Sequence, residues 1–530
     1  MKTGAVELGH GRVVVDITDA AEEGGDVRSP LNVGRGERLS CERVEAAARL
    51  SAPRIRFTDD AIAAMERSER ALRAAHERGD SIYGLTTGFG PLVRFAADER
   101  ATVQGAGLIA HLGAGCGPMA PTEVVRATML LRAHTIGQGF SGISPRVADA
   151  LADLLNSGLC PAIPEVGSVG ASGDLIPLSH LARVLMGQGR VLAGGQEGQT
   201  RDSASALRER RLTPIELTGR DALALVNGTT FMAAYASLAL ARARRLIATA
   251  EGLTGWLYRL LGCRSQALDP RLHAARGHDT QAASAAAIAE EAWRYGSFED
   301  STRPLQEVYS LRCAPQFLGA CRDQLDHARR LIEREINGVS DNPVVCGDES
   351  APAVLHGGNF QGQQIAFASD AINQALVQAA VLAERQIDVL VNPELVGGTL
   401  LLAWEPGATS GVAGAQITAT ALVAEMRHHG HPCATASIPT NGRNQDVVSM
   451  GTMAARQAYQ QTDRIAGVLA ILAIAAQQLT FLRERGRVDG RTTPRPEWVP
   501  AVEGLVVDRP LYDDIARLAQ GLLSSGVHAD

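Results

Sequence analysis

Three segments of the 530-residue sequence run for about thirty or more residues with almost no helix breaker: 221–261, 361–391 and 446–485. Each carries apolar residues at helical spacing, often on more than one face. A helix that is apolar nearly all round must be surrounded by protein. The segments therefore predict a bundle of long buried helices, with apolar surface left over for oligomerisation. The longest apolar run, Ile465 to Ala476, is too short to span a bilayer and reads as a buried core helix. Abundant alanine and only 4% aromatic residues favour helices over sheets. The expected fold class is mostly α, a long-helix bundle with a smaller, loop-rich N-terminal region.

Composition suggests four stretches. Residues 1–38, rich in glycine and charge, read as a weakly ordered extension. Residues 39–220 hold the glycine-dense loops, 221–485 the long helices, and 486–530 a Pro- and Arg-rich loop followed by a short helical pattern at 511–523. Between Thr58 and Arg78 a helix is expected, with Thr58 as cap, Asp59 and Asp60 in its first turn, and Ile62, Met65 and Leu72 near one face. The net charge of -7 comes from interspersed signs, with no basic stripe for nucleic acid. Eight scattered cysteines without a Cys-x-x-Cys pair, and no apolar core of a signal peptide, read as free thiols in a cytoplasmic protein. His428, His429, His431 and Cys433 lack partners at a known ligand spacing, so no metal is expected.

The stretch with the most chemistry is GSVGASGDLIP, Gly167 to Pro177. A phosphate loop needs Lys and Ser/Thr after its last glycine. Here Asp174 follows and would repel phosphate, so no nucleotide is expected. A hydrolase elbow needs G-x-S-x-G, and Gly170-Ala171-Ser172-Gly173 is one residue short. A structural turn is the plain alternative. The other is backbone cyclisation, since glycine has no side chain to block close approach. The Gly173 nitrogen would attack the Ala171 carbonyl, and loss of water would close a five-membered imidazolone. Loss of the Ser172 hydroxyl as a second water would leave an exocyclic methylene, a strong electrophile.

GSVGASGDLIPLSH resembles the signature of the aromatic amino acid ammonia-lyases and 2,3-aminomutases, which carry a 4-methylidene-imidazol-5-one group (MIO) formed from Ala-Ser-Gly. The resemblance runs from about Leu39 to Leu523. It includes, in the family's order, YGLTTGFG at Tyr83, DALALVNGT at Asp221, YSLRCAPQ at Tyr309, DNP at Asp341, LHGGNFQGQ at Leu355, LAERQI at Leu382 and NQDVVSMG at Asn444. It implies a mostly helical homotetramer with active sites built from three chains. It also implies an aromatic amino acid as substrate and MIO, made from Ala171, Ser172 and Gly173, as the prosthetic group.

By the same resemblance Tyr83 is the base that removes the β-proton. A phenol titrates near ~10, so positive charge or hydrogen bonds are expected to lower its pKa. Gly84, Gly88 and Gly90 suit a loop that opens and closes. Arg312 would grip the substrate carboxylate with two parallel hydrogen bonds. Tyr309 would lie beside the reacting centre, supported by Gln306. Asn227 would hydrogen-bond the MIO or the substrate's amino acid end, and Phe360 would line the site. Asn444 and Gln445 follow from NQDVVSMG; histidine lyases carry an acidic residue where Gln445 stands. His111-Leu112 matches the specificity pair, and His-Leu resembles the tyrosine-preferring pattern. An imidazole can hydrogen-bond a phenol hydroxyl that an apolar pocket would leave unpaired.

The expected reaction is conversion of L-tyrosine to 4-coumarate and ammonia. The alternatives are a tyrosine 2,3-aminomutase giving β-tyrosine, or the same chemistry on phenylalanine or a substituted tyrosine. Phe89-Gly90-Pro91-Leu92 resembles the lyase version of the loop, whereas SIPTNGRNQDVVSMG is as close to mutases. Leu400-Leu401-Leu402, Arg276-Gly277-His278-Asp279 and Gly430-His431-Pro432-Cys433 depart from the family pattern.

Overall fold

The computed structural model describes residues 30–98, 100–193, 198–296 and 302–524. Most of the expected extension, residues 1–29, lies outside them. Ordered structure begins earlier than Leu39. Leu31–Val33 pairs in parallel with Ile55–Phe57, because Val33, Ile55 and Phe57 all have core to bury against.

Thr230–Leu261 is the central element, a helix whose side chains are buried on nearly every face. Gly262, at φ +70°, ends it in the left-handed conformation that glycine adopts without a Cβ penalty. Gln363–Val391, Gly451–Glu484 and Ala314–Ile336 pack around it, and Tyr512–Ser524 closes over one side. Every residue of the Ile465–Ala476 run is buried. Gln363–Val391 and Gly451–Glu484 have the length and hydropathy to cross a membrane, but here both are core helices of the bundle. Strands are short and form four two-stranded sheets among the described residues.

The structure corrects two expectations about helices. The 221–261 segment is two helices, Gly219–Val226 and Thr230–Leu261. Asn227 caps the first by donating its N–H to the Leu223 carbonyl, and Gly228 at φ +146° turns the chain before the second begins. Asp59–Glu77 forms as expected, with Thr58 Oγ1 accepting from the Ala61 N–H at 3.1 Å. Met65 and Leu72 are buried, but Ile62 is 38% exposed, because the buried face runs through Ala61 and Ala64 instead.

Candidate active site

The Gly167–Asp174 loop joins strand Pro164–Val166 to helix Leu175–Leu185 and is clamped from both sides. On one side Ser449 Oγ donates to the Gly170 carbonyl at 3.1 Å, and Met450 N–H donates to the Val169 carbonyl at 3.0 Å. On the other, Gly173 pairs with Gly228 in a parallel bridge, and Asp174 N–H donates to the Gly228 carbonyl at 2.8 Å. The Asp174 carboxylate is fully buried. It accepts from Ser168 Oγ at 2.9 Å, from Thr452 Oγ1, and from the Met232 N–H at 2.8 Å. Burial raises its pKa to about 6 against these bonds. The first turns of Leu175–Leu185, Thr230–Leu261 and Gly451–Glu484 thus meet at this loop, so the positive ends of three helix dipoles converge there.

Between the clamps, residues 171–173 are held bent, and the Gly173 carbonyl accepts from Ser168 Oγ at 3.3 Å. Gly170 and Gly173 have φ of +70° and +66°. A Cβ on Gly173 would lie 2.0 Å from the Gly228 carbonyl oxygen, so only glycine fits. Gly173 is buried, yet its N–H has no acceptor among the described residues, and no donor reaches the Ala171 carbonyl. A buried N–H without a partner is rare. Ser172 is half-buried, and its Oγ accepts from Gln445 Nε2 at 2.9 Å.

Other expected residues gather around this loop. Asn227 is buried one residue from the Gly173–Gly228 bridge, and its side-chain carbonyl oxygen has no donor among the described residues. Phe360 is half-buried, two residues before Gly362, which packs against Met232. His111 and Leu112 end the Ala101–Leu112 helix, which Ser179 Oγ ties to Leu175–Leu185 through the Leu112 carbonyl at 3.0 Å. Leu112 is buried and His111 is exposed. His111 Nδ1 lies 3.1 Å from the Gly107 carbonyl. A carbonyl only accepts, so Nδ1 carries the proton and Nε2 of the neutral ring is left as an acceptor. Asn444 is exposed, and its N–H closes the turn onto Asn441.

Tyr83 sits on a loop whose Gly84 packs on Leu223 and whose Gly90 abuts Asn441. Its hydroxyl accepts from the Gly90 N–H at 2.7 Å, and its ring meets Phe89 edge-on at 6.2 Å. The expected lowering of its pKa is not found within one chain. Burial pushes the phenol above its ordinary value, and the Gly90 N–H only partly offsets this.

Gln306, Tyr309 and Arg312 lie elsewhere. The Tyr258 hydroxyl donates to the Leu311 carbonyl at 3.2 Å, and Gln386 Nε2 to the Ser310 carbonyl at 2.9 Å. Tyr258 is nearly eight turns beyond Thr230, about 42 Å along the helix axis at ~1.5 Å per residue. One chain therefore holds Tyr309 and Arg312 at the opposite end of the bundle from Ser172. Gln306 and Tyr309 are exposed, and the Arg312 guanidinium stacks 4.7 Å over the Tyr309 ring. Arg312 forms no ion pair among the described residues, and its buried Nε has no acceptor.

Comparison with known proteins now decides the family. Residues 39–496 match the profile described as aromatic amino acid lyase. The chain is 43% identical over 478 residues to a tyrosine ammonia-lyase of Cereibacter sphaeroides, covering 86% of this chain and 91% of that one. It is 37% identical over 486 residues to a histidine ammonia-lyase of Treponema denticola, covering 91% and 94%. The crystal structure of a tyrosine aminomutase from Streptomyces globisporus superposes with a TM-score of 0.84 at 36% identity, covering 93% of this chain and 97% of that one. The protein belongs to the aromatic amino acid lyase family.

An MIO group is the mark of these lyases, and residues 171–173 fit it. Among the described residues the nitrogen that would attack has no competing acceptor and the carbonyl that would be attacked has no donor, and both flanks are fixed. Sequence reasoning missed the clamp. In sequence Asp174 reads only as a bar to phosphate; Ser168 and Ser449 sit inside GSVGASGDLIP and NQDVVSMG with no role assigned to them, and Thr452 follows the latter. The usable signal was a buried-type acid directly after the triad, opposite the SMGT run at 449–452.

Proposed function

We propose that this lyase removes ammonia from L-tyrosine to give trans-4-coumarate, with MIO formed from Ala171-Ser172-Gly173. The observation that carries the reading is the buried, acceptor-free Gly173 N–H between two clamps. The group supplies an electrophilic methylene at Ser172, which standard side chains lack. Asn227, with its unpaired side-chain oxygen, orients the ammonium end of the substrate. Tyr83, as the phenolate that the Gly90 N–H steadies, takes the β-proton and becomes the phenol. Gln445 offers a neutral amide at Ser172, suited to a substrate without an imidazolium. Phe360 and Leu112 supply apolar wall.

The carboxylate is held by Arg312 of a second copy of the chain, with that copy's Tyr309 and Gln306 beside the reacting centre. Separation within one chain and the absence of an ion pair at Arg312 support this. Co-expressing Tyr83→Phe and Arg312→Ala chains should therefore restore activity that neither has alone, because some mixed sites receive both intact residues. Activity of the mixture no higher than the sum of the two variants would place both residues in one chain's site.

His111 selects the ring. An Nε2 acceptor suits the phenol O–H of tyrosine and leaves a methoxy group without a donor. His111→Phe should lower the tyrosine-to-phenylalanine ratio of kcat/KM by about 10- to 100-fold. Likewise, 4-methoxy-L-phenylalanine should be a poorer substrate than L-tyrosine by about tenfold or more. Unchanged ratios would remove His111 from the pocket.

A tyrosine 2,3-aminomutase is the second reading, favoured by the likeness to the Streptomyces globisporus enzyme across nearly the whole chain. Incubation with L-tyrosine, L-phenylalanine and L-histidine, followed by chromatography of the products, separates the readings. Accumulating 4-coumarate supports the lyase, dominant β-tyrosine the mutase, and turnover of histidine alone would overturn both.

A further inference from the structure

Behind the Asn227–Gly228 turn lies a side chain that the reaction as described does not use. Arg132, on the Thr122–Ile136 helix, is fully buried. Its guanidinium makes no ion pair among the described residues. It donates instead to two peptide carbonyls, from Nη1 to Asn227 at 3.0 Å and from Nη2 to Ala224, while Nε has no acceptor. Asp341, the carboxylate that acts on it through space, is itself bonded to Arg220 at 2.6 Å. Burial lowers the pKa of Arg132 to about 10, so the charge persists at neutral pH. A Cβ on Gly228 would lie 2.4 Å from Arg132 Nη1, so the close approach requires glycine there. A charge buried without a counter-ion is costly, and a fold that needed only a cap for Gly219–Val226 could have used water or a neutral donor.

The placement gives the charge a use. Arg132 bonds the carbonyl of the Asn227–Gly228 peptide, and the N–H of that same peptide belongs to Gly228. Gly228 is the partner of Gly173 in the parallel bridge. The bonds of such a bridge flank the paired residue. One arm is Asp174 N–H to the Gly228 carbonyl. The pairing directs the Gly228 N–H toward the Ser172 carbonyl, and this N–H makes no hydrogen bond of its own among the described residues. In the cyclised triad the Ser172 carbonyl is conjugated with the methylene, so a donor on its oxygen draws electrons from the carbon that must be attacked. A cation on one end of a peptide polarises the donor at the other end.

We propose that Arg132 is a positioning residue that polarises the Asn227–Gly228 peptide, strengthens the Gly228 N–H as a donor to the Ser172 carbonyl, and so raises the electrophilicity of the MIO. The inference rests on the MIO reading above.

The test measures reactivity of the electrophile directly, apart from turnover. Wild type, Arg132→Lys and Arg132→Met are purified, their thermal unfolding is recorded, and intact mass is followed during incubation with cyanide. Addition of HCN across the methylene, carbon taking cyanide and the ring system taking the proton, adds about 27 Da. The expected result is that folded variants still carry the triad's mass deficit but label about 10- to 100-fold more slowly than wild type. Their kcat should fall in parallel and KM change little, with Arg132→Lys less affected than Arg132→Met. Equal labelling rates in wild type and a folded variant overturn the inference while leaving the MIO reading intact. Loss of folded protein in both variants also overturns it, since Arg132 then serves the fold. A wild type without the mass deficit overturns the MIO reading itself.

Discussion

Ser172→Ala should lower kcat for L-tyrosine by about 10³-fold or more, about 4 kcal/mol of barrier. Alanine at 172 leaves the ring closure of Gly173 onto Ala171 open, but it has no hydroxyl to lose as the second water. The electrophile therefore never forms. The fold should tolerate the change. Ser172 is half-buried, and its side chain gives up one hydrogen bond, from Gln445 Nε2, worth about 1 kcal/mol. Both clamps, through Gly170 and through Asp174, are left in place. Unchanged thermal unfolding with near-complete loss of turnover is the expected pair of results. Retained turnover would mean that the reaction does not pass through Ser172.

Tyr83→Phe should cost about 10²- to 10⁴-fold in kcat, the usual worth of a positioned general base. Phenylalanine keeps the edge-on contact with Phe89 and loses only the bond from the Gly90 N–H, so the loop should stay folded. The pH profile follows from the direction of the shift. Burial raises the phenol's pKa, and the base must be deprotonated, so kcat/KM rises with pH through the neutral and alkaline range. The amine of the substrate also deprotonates there. A fluorinated tyrosine at position 83, whose phenol is more acidic, separates the two by moving the rising limb to lower pH. A limb that stays in place belongs to the substrate.

The helices were legible because their signal is local and long. Breaker-free segments of thirty residues leave few alternatives, and Gln363–Val391 and Gly451–Glu484 start within a few residues of the expected positions. The break at Asn227–Gly228 was harder to see, since a single Asn-Gly inside a helical pattern is a tolerated irregularity until the neighbouring loop demands it. Here Gly173 demands it, 55 residues earlier in the chain. Ile62 failed for a similar reason: its face was set by what packs against Asp59–Glu77, not by its own spacing.

At the site, Gly173 and Ser172 could be singled out because their chemistry depends on near neighbours in sequence. The support around them could not. Asp174 meets Met232 and Thr452 only in the fold, and Arg132 is an arginine in a helix outside any motif, ordinarily a surface charge. Arg312 and Tyr309 show the opposite limit. Their motif was readable, but a single chain places them by Tyr258, about 42 Å along the central helix from its Thr230 end, a separation that a local motif does not carry. The pKa of Tyr83 was misjudged for the same reason, since one chain offers it a single donor and a buried setting.

Residues 171–173 should not be an ordinary tripeptide in the folded enzyme. Intact mass spectrometry of the purified protein, with peptide mapping of 167–183, tests it most directly. Two waters leave on cyclisation and dehydration, so the account predicts a mass about 36 Da below that of the encoded sequence, confined to the peptide that carries Ser172. A full-length protein at its encoded mass, with an unmodified 167–183 peptide, would contradict it.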